Sequence, residues 1–227
     1  MMALMSPGQI VVFDHLDSTE AAGWWLFFHP DFIRNYPLGK KIKEYGFFSY
    51  EVNEALHLSD HEEKMIADLI DNIQREYHSP IDLYSQDVMV SYLDVLLNYT
   101  NRFYNRQFIT RKSASMDLLV QIDDLLTEYF NGDSVQQRRL PTVQYLSGKL
   151  NVSPNYLSDM LRKTTGQSAQ KHIHNKLIEQ AKDYLVTSTL TVSEIAYLMG
   201  FEHPQSFSKL FKSKTNQSPM DYRNSFH

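Results

Sequence analysis

The chain of 227 residues has no cysteine, two tryptophans and only eight glycines. Without thiols there is no disulfide framework and no thiolate zinc site, which suits the reducing cytoplasm. No apolar run is long enough to cross a membrane, and the opening MMALMSPGQIVVFDH lacks the layout of a signal peptide. The few glycines never gather into a phosphate-cradling loop, and no serine stands in a nucleophile elbow. His57 and His61 are four apart beside Glu62 and Glu63, but they straddle a helix start. His172 and His174 are two apart and point to different sides of a helix. Neither pair reads as a metal site, so no metal, no cofactor and no catalysis are expected.

Positive charge is also scarce over the first half. Residues 1–133 hold 10 Lys/Arg against 21 Asp/Glu, a net of −11, whereas residues 134–227 hold 12 against 6, a net of +6. The overall −5 therefore hides a basic C-terminal segment, the electrostatic footprint that a polyanion such as DNA requires.

That basic segment contains the most informative stretch, TVSEIAYLMGFEHPQSFSKLFKSKTNQSPMDYR, residues 191–223. Val192, Ile195, Ala196 and Met199 fall at helical spacing behind Thr191, which stands where an N-cap would. Gly200 suits the left-handed residue that ends a helix, Phe201 plugs the turn, and Pro204 opens a second helix. In that helix Phe207, Leu210 and Phe211 make a buried stripe. Gln205, Ser206, Ser208, Lys209 and Lys212 are left outside. Amides and hydroxyls on such a face can meet base edges, and ammonium groups can meet phosphates. The pattern is a helix-turn-helix.

Residues 142–168 repeat it. The offset is 49 up to the turn, pairing Thr142 with Thr191 and Leu146 with Ile195. It is 50 afterwards, pairing Pro154 with Pro204, Leu157 with Phe207, Arg162 with Lys212 and Gln167-Ser168 with Gln217-Ser218. One supersecondary unit is thus used twice, at 142–165 and 191–215. Between the copies, Ile173, Leu177, Ala181 and Leu185 predict a single helix over about 168–186. Some eighteen residues span ~27 Å, near the ~34 Å between successive major-groove faces on one side of B-DNA.

Residues 118–224 resemble the DNA-binding domain of the AraC/XylS family of bacterial transcription regulators. The resemblance rests on Ala196-x-x-x-Gly200-Phe201, on the run from Ser206 to Lys212, and on Pro219-x-x-Tyr222-Arg223. It implies base-edge contacts from Asn155, Ser158 and Asp159 in the first copy and from Gln205, Ser206 and Lys209 in the second, with Arg162 and Lys212 as backbone clamps. Asp159 departs from a typical reader, because a carboxylate accepts from cytosine but repels phosphate. The implied partners are double-stranded DNA, a second copy of the chain and RNA polymerase. The family's alkyl-repair members need cysteines for zinc and for alkyl acceptance, and this chain has none.

The expected fold class is mainly α with an N-terminal β-rich portion. Residues 1–104 form the regulatory part, 105–117 (NRQFITRKSASMD) a polar linker, and 118–227 the DNA-binding domain. Within 1–58, Gln9–Phe13, Trp24–His29 and a start at Phe47-Phe48 read as strands. The resemblance makes this a partial cupin-like sheet, with GWWLFFHPDFI as its closing portion. A full barrel needs about eight strands of ~5–6 residues, too many for this stretch, which argues against a small-molecule effector. Trp24, Trp25, Phe27 and Phe28 read as core or, less simply, as a cavity lining. Two dimerisation-type helices follow. One runs from Ser59, with a capping box to Glu62, to Tyr77, and the other spans about 82–104. Leu93 and Leu97 widen the apolar face of the second beyond one packing partner's need. Two other readings stay open. One is a DNA binder without sensing; the other is a dimerising interaction module that no longer reads DNA, against which the clustered Arg162, Lys163, Lys209, Lys212 and Lys214 weigh.

Overall fold

The computed structural model describes residues 1–9, 23–110, 112–131 and 139–226. The chain divides into two compact units, Met1–Thr110 and Arg111–His227.

The N-terminal unit corrects the expected β-rich portion. Among the described residues it contains no strand; extended backbone meets extended backbone only at an isolated bridge between Met2 and Leu56. Most of Gln9–Phe13 lies outside the described residues. Trp24–His29 carries no partner strand, and Trp24, Trp25 and Phe27 are exposed, so they are neither core nor the lining of a cavity. Pro30 and Pro37 each open a short helix instead, α1 (Pro30–Ile33) and α2 (Pro37–Lys41). Their fixed φ and missing N–H suit a first helical turn. Three 3₁₀ turns follow at Ile42–Glu44, Gly46–Ser49 and Val52–Glu54. Phe47, expected in a strand, is buried in the second of these and stacks on Tyr104 with centroids 5.5 Å apart. Short apolar runs do not distinguish a strand from an irregular segment wrapped on a helix. Here the aromatic residues found a helix to cover.

That helix is α4 (Ser85–Thr110), paired with α3 (Asp60–His78). Ser59 caps α3 in the predicted box with Glu62. Leu93 and Leu97 are buried within the unit, serving its own core and not a widened outer face. The N-terminal segment is fastened to α4 by Gln107, which accepts from the His57 N–H at 2.8 Å, and by Arg106, which donates to Glu62 at 2.6 and 3.0 Å and to the His57 carbonyl at 2.8 Å. Burial works to raise the Glu62 pKa, but the Ser59 backbone N–H and the Arg106 guanidinium outweigh it and hold the carboxyl below the usual range. Among the described residues, no helix is long and apolar enough to cross a membrane.

The C-terminal unit is all α: α5 (Lys112–Asn131), α6 (Val143–Leu150), α7 (Pro154–Thr165), α8 (Ala169–Thr187), α9 (Val192–Leu198), α10 (Pro204–Thr215) and α11 (Pro219–Asn224). Residues 105–110 and 112–117 are helical on either side of Arg111, continuing α4 and opening α5. α8 is the axis of this unit. It packs against α5, α7, α9, α10 and α11. Ala169, Ile173, Leu177, Ile178, Ala181 and Leu185 are its buried face, with Leu177, Ala181 and Leu185 fully enclosed. α5 packs on α6, α7 and α8, and Tyr129 meets the Tyr145 ring edge-on at 5.0 Å.

Candidate nucleic-acid interface

Each copy of the motif is built by the same local devices. Thr142 caps α6 through the Tyr145 N–H, and Thr191 caps α9 through the Glu194 N–H, with Glu194 returning the bond. Both first helices end at a left-handed residue, Asn151 at φ 53° and Gly200 at φ 87°. Asparagine and glycine are the residues that enter this region at least cost. Two residues then separate Asn151 from Pro154, and three separate Gly200 from Pro204, so the insertion predicted from the change of offset lies in the second turn. Phe201 is buried there, edge-on to Phe207 at 5.5 Å.

The second helices, α7 and α10, have equal length, 12 residues each, and end in left-handed caps at Gly166 and Asn216. The threonine before each cap donates to the helix, Thr165 to Leu161 at 2.7 Å and Thr215 to Phe211 at 2.8 Å. Each threonine also accepts from the following glutamine N–H. Ser168 and Ser218 then cap α8 and α11. Buried Leu157, Met160 and Leu161 anchor α7, and Phe207 and Phe211 anchor α10; Leu210, expected in that stripe, is only half-buried.

Packing of those stripes leaves the opposite faces outward. Asn155 and Arg162 are exposed on α7, and Gln205, Ser206, Lys209 and Lys212 are exposed on α10. Ser158 is half-buried and donates its hydroxyl hydrogen to the Pro154 carbonyl at 2.8 Å, leaving its lone pairs as acceptors. Asp159 is half-buried beside Arg162, carboxylate to guanidinium 3.8 Å.

Two features of this unit escape any reading of spacing. Asn175 on α8 joins the copies: its Nδ2 donates to Gln167 Oε1 at 3.1 Å, and its Oδ1 accepts from Lys214 Nζ at 3.1 Å. Arg223 donates to the Leu185 carbonyl at 2.9 Å, an orphan group in the last turn of α8, and to the Leu190 carbonyl at 2.7 Å in the connection to α9. Beside the first of these lie two histidines. His172 Nε2 is 2.8 Å from Thr165 Oγ1, whose own hydrogen goes to Leu161, so His172 is the donor. Burial, and then Lys171, hold His172 below the usual histidine range. Burial, and then Lys214, do the same to His174.

The family model described as a helix-turn-helix domain matches residues 146–225. The uncharacterized HTH-type transcriptional regulator YijO of Escherichia coli strain K12 is 36% identical over 76 residues, 34% of this chain and 27% of that one. The raffinose operon transcriptional regulatory protein RafR of Pediococcus pentosaceus is 36% identical over 84 residues, 37% of this chain and 30% of that one. The match thus spans less than a third of the length of either regulator. Among solved structures, the C-terminal domain of the two-component response regulator yesN from Fusobacterium nucleatum subsp. nucleatum ATCC 25586 is 34% identical. The match covers 44% of this chain and 95% of that one, with a TM-score of 0.37. The C-terminal unit of this chain carries a helix-turn-helix domain.

Proposed function

We propose that this chain is a DNA-binding transcription regulator of AraC/XylS type, acting by binding and not by turnover. It lays α7 and α10 in successive major grooves on one side of the duplex. The observation that carries the reading is the duplication itself. Two helices of equal length, opened by proline and closed by left-handed caps, both pack on one helix, α8, and present polar and basic faces. In this reading Asn155, Ser158, Asp159, Gln205, Ser206 and Lys209 meet base edges, and Arg162 and Lys212 meet phosphates. The test is binding-site selection by the full chain from random duplex. A common sequence with two separated half-sites is expected, bound with log K falling by ~0.9 per log unit of salt for each phosphate neutralised. Recovery of unselected sequence would end the proposal.

The N-terminal unit serves as a dimerisation element in this reading. With Leu93 and Leu97 buried, the surface on offer is the line Val88, Tyr92, Val95 and Tyr99, spaced four, three and four along α4. Val88 and Val95 stay exposed while the tyrosines are half-buried, an apolar seam of coiled-coil spacing. Sedimentation at micromolar concentration is expected to give a dimer, and Val95→Glu, at an exposed position, a folded monomer. A monomeric wild type would remove this element and leave the DNA reading standing.

A further inference from the structure

The two reading helices match in length, opening and closing residue, and differ in the sign of one charge. Asp159 lies five residues past Pro154, and Lys209 lies five residues past Pro204, each proline being the first residue of its helix. Equal distance from the helix start means equal phase around the axis at 3.6 residues per turn. A carboxylate in the first copy thus takes the place of an ammonium in the second. Arg162 and Lys212, eight residues past the same prolines, keep the same sign.

Asp159 is paired with Arg162 on the outer side of α7. At 3.8 Å, with the arginine side chain 62% exposed and the aspartate 28%, this is a loose surface pair. Partly exposed pairs of this length contribute little to stability. What remains is the chemistry of the two end groups. An ionised carboxylate only accepts hydrogen bonds and an ammonium only donates them. In the major groove, cytosine offers the N4 amino donor. Guanine offers only the acceptors O6 and N7, and adenine sets its N6 donor beside the acceptor N7. A carboxylate therefore favours cytosine, tolerates adenine less because N7 repels it, and rejects guanine. An ammonium favours guanine.

We infer that Asp159 selects cytosine at one position of the first half-site while Lys209 selects guanine at the equivalent position of the second, so that each chain binds its operator in a single orientation. This rests on the DNA reading proposed above. It also assigns unequal electrostatic shares to the helices, because α7 sets Asp159 against Arg162 and Lys163, whereas α10 carries the exposed Lys209 and Lys212 with no acidic residue.

The test uses the full chain, wild type and Asp159→Asn, in binding-site selection followed by competition with operators varied at each position. The wild type is expected to prefer cytosine over guanine by at least about fivefold at one first-half position. Asp159→Asn is near-isosteric. It is expected to shift that preference to adenine, whose N6 and N7 an amide meets in bidentate fashion, while leaving every second-half preference unchanged. The intact second-half preference reports a folded protein. If Asp159 served only to hold Arg162, the variant would change affinity for all sequences alike and keep the same base preference, and the inference would be overturned. A wild type indifferent to base at every first-half position would overturn it as well. Selection of no common sequence by the wild type would instead bring down the DNA reading, and this inference with it.

Discussion

Lys214, in the last turn of α10, donates from Nζ to Oδ1 of Asn175 on α8 at 3.1 Å. The sequence groups Lys214 with the bases of the reading helix, yet the fold turns it inward, half-buried, while Lys209 and Lys212 stay exposed. Because Asn175 also donates to Gln167 at the end of the first copy, one amide links the two motifs through side chains alone. Asn175→Ala breaks both bonds, but the groups it releases can reach water. The expected loss is about 0.5–1.5 kcal/mol, read as a fall in Tm of several degrees. An unchanged Tm would show that the relay holds nothing.

Lys209 and Lys212 lie three residues apart on α10 and both stay exposed. Lys209→Ala is expected to cost ~1–3 kcal/mol on the best operator and to relax the preference at one base position. Lys212→Ala is expected to weaken all sequences about equally and to flatten the salt slope by ~1 unit. Competition binding with single-base operator variants at two salt concentrations separates the two. Identical profiles would contradict the division of labour.

Arg223 closes the C-terminal end of α8 from the last helix of the chain. Arg223→Ala leaves the Leu185 and Leu190 carbonyls without these donors, and hydrogen bonds to a charged group contribute about 1.5–3 kcal/mol each. Urea unfolding should show a midpoint shift at constant m. Arg223→Lys should recover only part of it, because an ammonium cannot reproduce the forked geometry of the guanidinium.

The two histidines of α8 set an acid limit. Their folded-state pKa values lie below the ordinary 6.5, so the unfolded chain takes up protons first as the pH falls. Stability is unaffected above about pH 6.5 and is lost progressively below it, until the folded-state values are passed. Thermal unfolding between pH 7.5 and 5 should show this decline, and His172→Gln combined with His174→Gln should flatten it. An equally steep decline in the double variant would place the acid sensitivity elsewhere.

Legibility in the sequence followed the range of the interaction. The Thr191 cap, the left-handed Gly200, the proline openings and the helix between the copies are set by neighbours within a few residues, and each stands where the pattern predicts it. The threonine cap and the proline opening recur in both copies. Within 23–58 strand-like composition does not carry a strand: Phe47 is buried in a 3₁₀ turn against Tyr104 of α4, far along the chain, while Trp24, Trp25 and Phe27 stay exposed with no partner strand among the described residues. A helix face likewise does not say which of its apolar residues the rest of its own unit will cover: Leu93 and Leu97, expected to widen the apolar face beyond one packing partner's need, are buried within the unit. The partners of Asn175, Lys214 and Arg223 are tertiary, and no spacing rule encodes them.

The most direct measurement is a methylation-protection footprint of the selected operator bound by the full chain. Two α-helical readers mounted on one α8 should protect two groups of major-groove guanines on one face of the duplex, about 10 bp apart from centre to centre. Lys209→Ala should weaken protection at one group and spare the other. A single protected group, or protection spread evenly along the site, would contradict the placement of α7 and α10 in successive grooves.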